Sequence, residues 1–247
     1  MTGLDEAVAV AVAVPRAAAR RAEQFGIEET QDFLRYVIED LYAGRVALVS
    51  SFGADAAVLL HMVAQIDTSF PVIFVDTLQL FPETLAYRDT LVARLGLTNI
   101  INVQPDADQL AAEDPENFLW AQDPDRCCHI RKVAPLTKAI QAYPARITGR
   151  KRFQAKTRNA LPVFELEGER MTINPLVRWS EADIDAYFVE YDLPRHELFA
   201  KGYLSIGCVP CTSPVKLGED VRAGRWRGRA KTECGIHVAP LKALAGN

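Results

Sequence analysis

A chain of 247 residues, 49% of them apolar, suffices for one large core plus a functional tail. With 32 acidic against 28 basic residues, a formal charge of −4, it lacks the net basic balance of a protein that coats nucleic acid. Its five cysteines are an odd number, which suits a disulfide framework poorly and favours metal binding or catalysis.

Near the start, Ala7 to Val14 is apolar, yet Asp5 and Glu6 precede it where a secretory signal carries positive charge, and Pro15 interrupts it. The run is too short to cross a bilayer. Residues 1–44 are read as a helical lead-in ending at Gly44, and the expectation is a cytoplasmic protein without a membrane partner.

From Arg45 the pattern alternates between strand and helix, which implies an α/β fold: a parallel sheet flanked by helices. Arg45 to Ser51 (RVALVSS), Pro71 to Thr77 (PVIFVDT), Asn99 to Val103 and Ala145 to Gly149 are strand candidates. Between them, Val58, Leu59, Met62, Val63 and Ile66 recur at helical spacing, Pro82 opens a helix with Leu91, Val92 and Leu95 on one face, and Ile130 to Ala142 reads as helix. Gln104 to Asp125 holds three prolines and seven acidic residues and is expected to be a long loop that folds around a ligand or cluster. Ser180 with Asp183 forms a capping-box signal before a stripe of Ile184, Tyr187, Phe188 and Tyr191. These elements bound a domain over 45–201. Beyond it, residues 202–247 gain glycine, proline and arginine, and are read as a wrapped or mobile segment.

Three clusters carry chemistry. Ser50-Ser51-Phe52-Gly53-Ala54-Asp55 joins a strand to a helix, where unpaired N–H groups and the helix dipole attract an anion; the same turn also serves as a plain connector. Val75-Asp76-Thr77 ends the second strand, on the edge where open α/β sheets hold ligands. Cys127-Cys128 and Cys208-Val-Pro-Cys211 supply four thiolates, suited to one zinc ion or to an iron–sulfur cubane; adjacent cysteines favour the cubane, whose irons sit at separate corners. Cys234 stands alone among Arg222, Arg225, Arg227, Arg229 and Lys231, cations that favour the thiolate, so it is a candidate nucleophile or else a bystander on a basic tail. His237, three residues on, is open to either reading.

Taken together, Ser51-Phe-Gly-Ala-Asp55, Asp76-Thr77, Pro82-Glu-Thr84, Cys127-Cys-His-Ile-Arg-Lys132, Thr148-Gly-Arg150, Gly202 to Thr212 and Lys231-Thr-Glu-Cys-Gly-Ile-His237 resemble the assimilatory adenylyl-sulfate and phosphoadenylyl-sulfate reductases over about Arg45 to His237. The resemblance implies an adenine-nucleotide α-hydrolase-like fold with a mobile C-terminal arm that closes over the site. It further implies a [4Fe-4S] cluster on Cys127, Cys128, Cys208 and Cys211, and Cys234 as the nucleophile. By the same likeness Lys132, Arg222, Arg225 and His237 neutralise a phosphosulfate, while Val75, Asp76, Thr77, Gly149 and Arg158 surround the nucleoside; Ser51 and Gly53 belong to the anion-binding loop. Ala56 departs from the serine many relatives carry there. The implied reaction is thiol-dependent reduction of adenosine 5′-phosphosulfate to sulfite and AMP through an S-sulfocysteine, in sulfate assimilation and cysteine biosynthesis. Thioredoxin or a similar carrier is the implied thiol partner. Activity on the 3′-phosphorylated substrate and a homo-oligomer stay open. Two rivals compete: an ATP pyrophosphatase of the tRNA-thiolating kind, and a zinc module that binds nucleic acid through Arg222 to Lys231.

Overall fold

Short β-branched runs bounded by turn residues become the strands of one sheet. The computed structural model describes residues 18, 20, 22, 24–167, 170–229, 231, 233, 235 and 236. Its strands are β1 (Val46–Ser50), β2 (Val72–Val75), β3 (Ile100–Val103), β4 (Ala145–Thr148), β5 (Phe164–Glu167) and β6 (Arg170–Ile173), in the order β3-β2-β1-β4-β6-β5. All pairings are parallel except β5 with β6. The helices are α1 (Thr30–Tyr36), α2 (Ala56–Ala64), α3 (Pro82–Leu95), α4 (Ala107–Glu113), α5 (Leu119–Gln122), α6 (Pro124–Cys128), α7 (Ala134–Ala139) and α8 (Glu181–Glu190).

The side-chain period of two splits each strand between two cores. Val46, Leu48, Val72, Phe74, Ala145 and Ile147 face the larger one, with Phe33 and Leu34 of α1, Val58 and Leu60 of α2, Leu91 of α3 and Ile184 and Phe188 of α8. Ala47 and Ile73 face the other and meet Leu136 and Ile140. Burial on both faces explains why these strands read as unbroken apolar runs. The lead-in shares the larger core through Ala22, Phe25, Phe33, Val37 and Tyr42.

Caps set the helix ends. Pro82 occupies the first turn of α3, and Gly96 closes that helix at φ +65°, a conformation that favours glycine. At α8, Ser180 Oγ accepts from the Asp183 N–H while the Asp183 carboxylate accepts from the Ser180 N–H, a reciprocal cap contributing about 1 kcal/mol.

Two expectations need correction. Gln104 to Asp125 is not a long loop, because α4 and α5 fall within it: Asp106 caps α4 through the Gln109 N–H, and Asp114 accepts from the Phe118 and Leu119 amides. The antiparallel β5–β6 hairpin adds two strands beyond those the sequence pattern marks. Tyr191 does not complete a buried stripe; it is the C-cap of α8 and 37% exposed. The apolar run Ala7 to Val14 lies outside the described residues. Among the described residues, no helix is long and apolar enough to cross a membrane.

Candidate functional site

The parallel strands β1, β2 and β4 release their chains at one edge of the sheet, and a cavity of about 240 Å³ opens there. Ser51, Gly53 and Asp55 line it from the loop after β1, Val75 and Thr77 from the end of β2, and Thr148, Gly149, Arg150 and Lys151 from the end of β4. Lys132 and Arg158 add cationic walls, and Arg222, Arg225 and Trp226 close it from the C-terminal segment.

The loop after β1 is held in an uncommon shape. Phe52 takes φ +48° and is fully buried, its ring edge-on to Phe74 at 5.3 Å. A left-handed aromatic residue costs roughly 1–3 kcal/mol, which complete burial of the ring, at roughly 1.5–3 kcal/mol, offsets. The Phe52 N–H is donated to Ser50 Oγ, so the turn is fixed from within. Lys151 is 2% exposed and pairs with Asp55 at 3.0 Å, tying the loop after β4 to the one after β1.

Four buried thiols sit beside this cavity, none in a disulfide. Cys127 and Cys128 end α6, and the helical run continues through a π turn over His129–Val133 into α7. That wider turn carries Ile130, Arg131 and Lys132 in succession, all buried. Cys208 and Cys211 flank a 3-10 turn, Val209–Cys211, which is moored by the Val209 N–H on Gln79 O and by the Trp226 N–H on Cys211 O.

Electrostatics link the two pairs. Burial first, then the neighbouring Cys128, Cys208 and Cys211, push the Cys127 thiol up to about 12, with Arg131 opposing. Burial and Cys208 likewise raise Cys211. For Cys208, burial is again the strongest single influence and acts upward, yet Lys132, the Thr77 hydroxyl at 3.2 Å and Arg225 together outweigh it and hold the thiol below its ordinary value. Such a donor set, four thiols sharing one buried region with cations around it, matches the chemistry of a multi-iron cluster that carries negative charge. Among the described residues, no group of three or more His, Cys, Asp or Glu side chains is arranged to hold a single metal ion.

A polar brace supports the thiols. Arg131 donates to Asp114 Oδ2 through Nη2 at 2.6 Å and Nε at 3.1 Å, to Asn117 Oδ1 at 2.7 Å and to Thr77 O at 3.0 Å. On the facing wall, Arg225 lies flat against Gly207, where a Cβ would come within 2.3 Å of its guanidinium. Its Nε and the Trp226 Nε1 are buried donors with no hydrogen-bond acceptor among the described residues.

Nine of the eleven residues expected to bind substrate line the cavity: Ser51, Gly53, Val75, Thr77, Lys132, Gly149, Arg158, Arg222 and Arg225. Asp76 does not; its carboxylate accepts from the Leu78 N–H at 3.0 Å and Gln104 Nε2 at 2.9 Å, which staples the end of β2 to the segment after β3. Cys234 and His237 lie outside the described residues. Their neighbours Glu233 and Ile236 line the cavity. The sequence reading missed Asp55, Lys151, Gln154, Trp226 and Glu233. Signals existed for Asp55 and Glu233, which stand inside the quoted loop and C-terminal motifs, and for Lys151, which follows Thr148-Gly149-Arg150.

Residues 45–214 match the family described as phosphoadenosine phosphosulfate reductase domain. The adenosine 5′-phosphosulfate reductase of Chelativorans sp. (strain BNC1) is 58% identical over 201 residues, covering 81% of this chain and 82% of that protein. Among solved structures, the phosphoadenylyl-sulfate reductase of Candida auris in its phosphate complex superposes with a TM-score of 0.69 at 26% identity, over 83% of this chain and 99% of that one. Yeast FAD synthetase in complex with FAD shares the fold at a TM-score of 0.53 and 17% identity, over 85% and 73% of the two chains. Sheet order and likenesses agree on the expected adenine-nucleotide α-hydrolase-like fold.

Proposed function

Since the chain belongs to the phosphoadenosine phosphosulfate reductase domain family, we propose that it reduces adenosine 5′-phosphosulfate to sulfite and AMP, with Cys234 as nucleophile and Cys127, Cys128, Cys208 and Cys211 as ligands of a [4Fe-4S] cluster. It is an oxidoreductase of that family. The observation that supports the substrate class is the cavity: a strand-end loop on one side, and Lys132, Arg158, Arg222 and Arg225 on the others. Six basic side chains line the cavity against two acidic ones, Asp55 and Glu233, a balance that suits a polyanion better than a neutral ligand.

The chemistry follows from charge. A thiolate approaching a phosphosulfate meets like charge, so the site must neutralise both partners, and fixed cations in a water-poor cavity do so at little reorganisation cost. Cys234 Sγ attacks the sulfate sulfur; the bond from that sulfur to the bridging phosphate oxygen breaks, and AMP leaves with the electron pair. The product is an S-sulfocysteine. A thiolate of a dithiol carrier such as thioredoxin then attacks Cys234 Sγ, sulfite departs, and the carrier's second thiol resolves the mixed disulfide, so the two electrons come from the carrier. A cluster bound by the four thiolates would place negative charge beside Lys132, which already hydrogen-bonds Cys208, and would join the α6 end to the 208–211 turn.

Cys234→Ser tests the reading. It should abolish sulfite release while cluster absorbance persists. Turnover retained in this variant would remove Cys234 from the reaction.

A further inference from the structure

Glu233, one residue before Cys234, lines the cavity. It accepts from Arg158 through Nε at 2.9 Å and Nη2 at 2.9 Å, and from Arg222 Nη2 at 3.1 Å. The three side chains are only 10%, 14% and 18% exposed, for Arg158, Arg222 and Glu233 in turn. The third nitrogen of Arg158, Nη1, donates to Gln154 Oε1 at 2.6 Å. Two of the cations that face the cavity therefore already hold a carboxylate from the chain itself.

A bidentate guanidinium–carboxylate contact has the same planar, forked geometry with which arginine binds a phosphate or sulfate. The carboxylate carries one negative charge; a phosphosulfate carries more, spread over more acceptor oxygens. Both cannot take the same Arg158 nitrogens. If Glu233 stayed in place as a bound polyanion arrived, a buried negative charge would face another across a small cavity, which is costly at low local dielectric.

Two further tethers hold the same segment, and on its near side Lys231 pairs with Asp125. Arg146 on β4, buried, donates to the Ile236 carbonyl at 3.0 Å and pairs with Glu167. Ile236 also packs against the smaller core. That tether lies outside the cation pair and involves no cavity anion, so releasing Glu233 leaves the segment attached at its far end. Residue 233 can swing while residue 236 stays.

We propose that Glu233 is a built-in substitute for the substrate's anion: its carboxylate occupies Arg158 and Arg222 in the ligand-free protein, and an incoming nucleotide displaces it. This inference rests on the reading of the cavity as an anionic-nucleotide site. Exchange of one anion for another links filling of the cavity to release of the residue next to Cys234, so the nucleophile's segment is freed when a target is present. Linkage makes the effect reciprocal: whatever removes the internal anion strengthens nucleotide binding by the same factor.

The test compares wild type with Glu233→Gln and Glu233→Asp. AMP serves as a non-reacting probe, its Kd measured by calorimetry. Glu233→Gln should bind AMP more tightly, by about five-fold or more, the lower end of typical coupling between linked equilibria. Glu233→Asp, with charge kept and reach shortened, should fall between. Without ligand, tryptic cleavage after Lys231, identified by mass, should be faster in Glu233→Gln than in wild type. Equal or weaker AMP binding by Glu233→Gln, or equal cleavage rates, overturns the proposal. If AMP and adenosine 5′-phosphosulfate bind none of the three proteins, the nucleotide reading fails, and the cleavage rates still decide whether Glu233 restrains the segment.

Discussion

Replacing Asp114 with alanine probes the brace that joins the acidic segment to the thiols. The Asp114 side chain is 2% exposed and that of Arg131 is 4% exposed. Four hydrogen bonds end on its carboxylate, from the Phe118 and Leu119 amides at 2.7 and 2.8 Å and from Arg131 at 2.6 and 3.1 Å. Alanine removes them all and leaves a buried guanidinium with, among the described residues, Asn117 Oδ1 and Thr77 O as its remaining acceptors. Breaking a buried pair from one side costs about 3–5 kcal/mol. At about 2–4 °C per kcal/mol for a chain of this length, Tm should fall by about 6–20 °C. Removing both charges, in Asp114→Ala with Arg131→Met, should cost less than the two single changes summed, because no buried charge is then left alone. Thermal unfolding of the four proteins followed by circular dichroism at pH 7 measures the cycle. A fall in Tm under about 2 °C, or additivity within about 0.5 kcal/mol, would refute the reasoning. The pH dependence has a definite sign. Burial acts upward on the Asp114 carboxyl, but the Leu119 amide, Arg131 and the Phe118 amide hold it below its ordinary 3.8. The brace is therefore at full strength above pH 3.8 and is lost as pH falls through the lower folded value, so the wild-type and alanine curves should converge in acid.

Three further outcomes follow from the site and its surroundings. Gly207→Ala should displace the Arg225 guanidinium, the flexible end of a side chain, and so raise KM for adenosine 5′-phosphosulfate by about ten-fold or more, the value of one charge-assisted contact, with little change in Tm; unchanged steady-state kinetics would remove Arg225 from the site. His196 is buried, takes the Leu198 N–H on Nδ1 and gives its Nε2 proton to Thr84 Oγ1, and burial holds it below 6.5, with Glu83 and Glu197 opposing. Its neutral form thus supports the fold above pH 6.5, and that support is lost as pH falls through the folded value; acid titrations of wild type and His196→Gln should diverge in slope there, and parallel curves would contradict it. Cys208→Ala should lose iron and activity together, measured by iron and labile sulfide per chain in anaerobically purified protein, whereas full iron content would show that the cluster assignment is wrong.

The strands β1 to β4 were legible because both sheet faces are covered, which writes each one as a short apolar run between turn residues. The paired cysteines were legible for a similar reason: their spacing is local even though the pairs lie eighty residues apart. The β5–β6 hairpin was not, since Glu165 and Glu167 look like solvent-facing residues. In the fold they meet Arg150, just beyond β4, and Arg146, near the start of that strand, both buried, a pairing no local pattern encodes. Helices α4 and α5 are too short for periodicity to show; aspartates at their ends fix them. Glu233 stands inside the Lys231-Thr-Glu-Cys-Gly-Ile-His237 motif, but its partner is not legible there, because only the fold brings Arg158 to it from seventy-five residues away.

The proposed reaction turns on covalent capture of a sulfonyl group by one cysteine. Anaerobic holoprotein, incubated with adenosine 5′-phosphosulfate in the absence of thiols and measured as intact protein and as tryptic peptides, should gain one SO3 group, located on the peptide carrying Cys234, with AMP released in equal amount. Protein that gains no such group from this donor or its 3′-phosphorylated form, or gains it on another residue, would contradict the account.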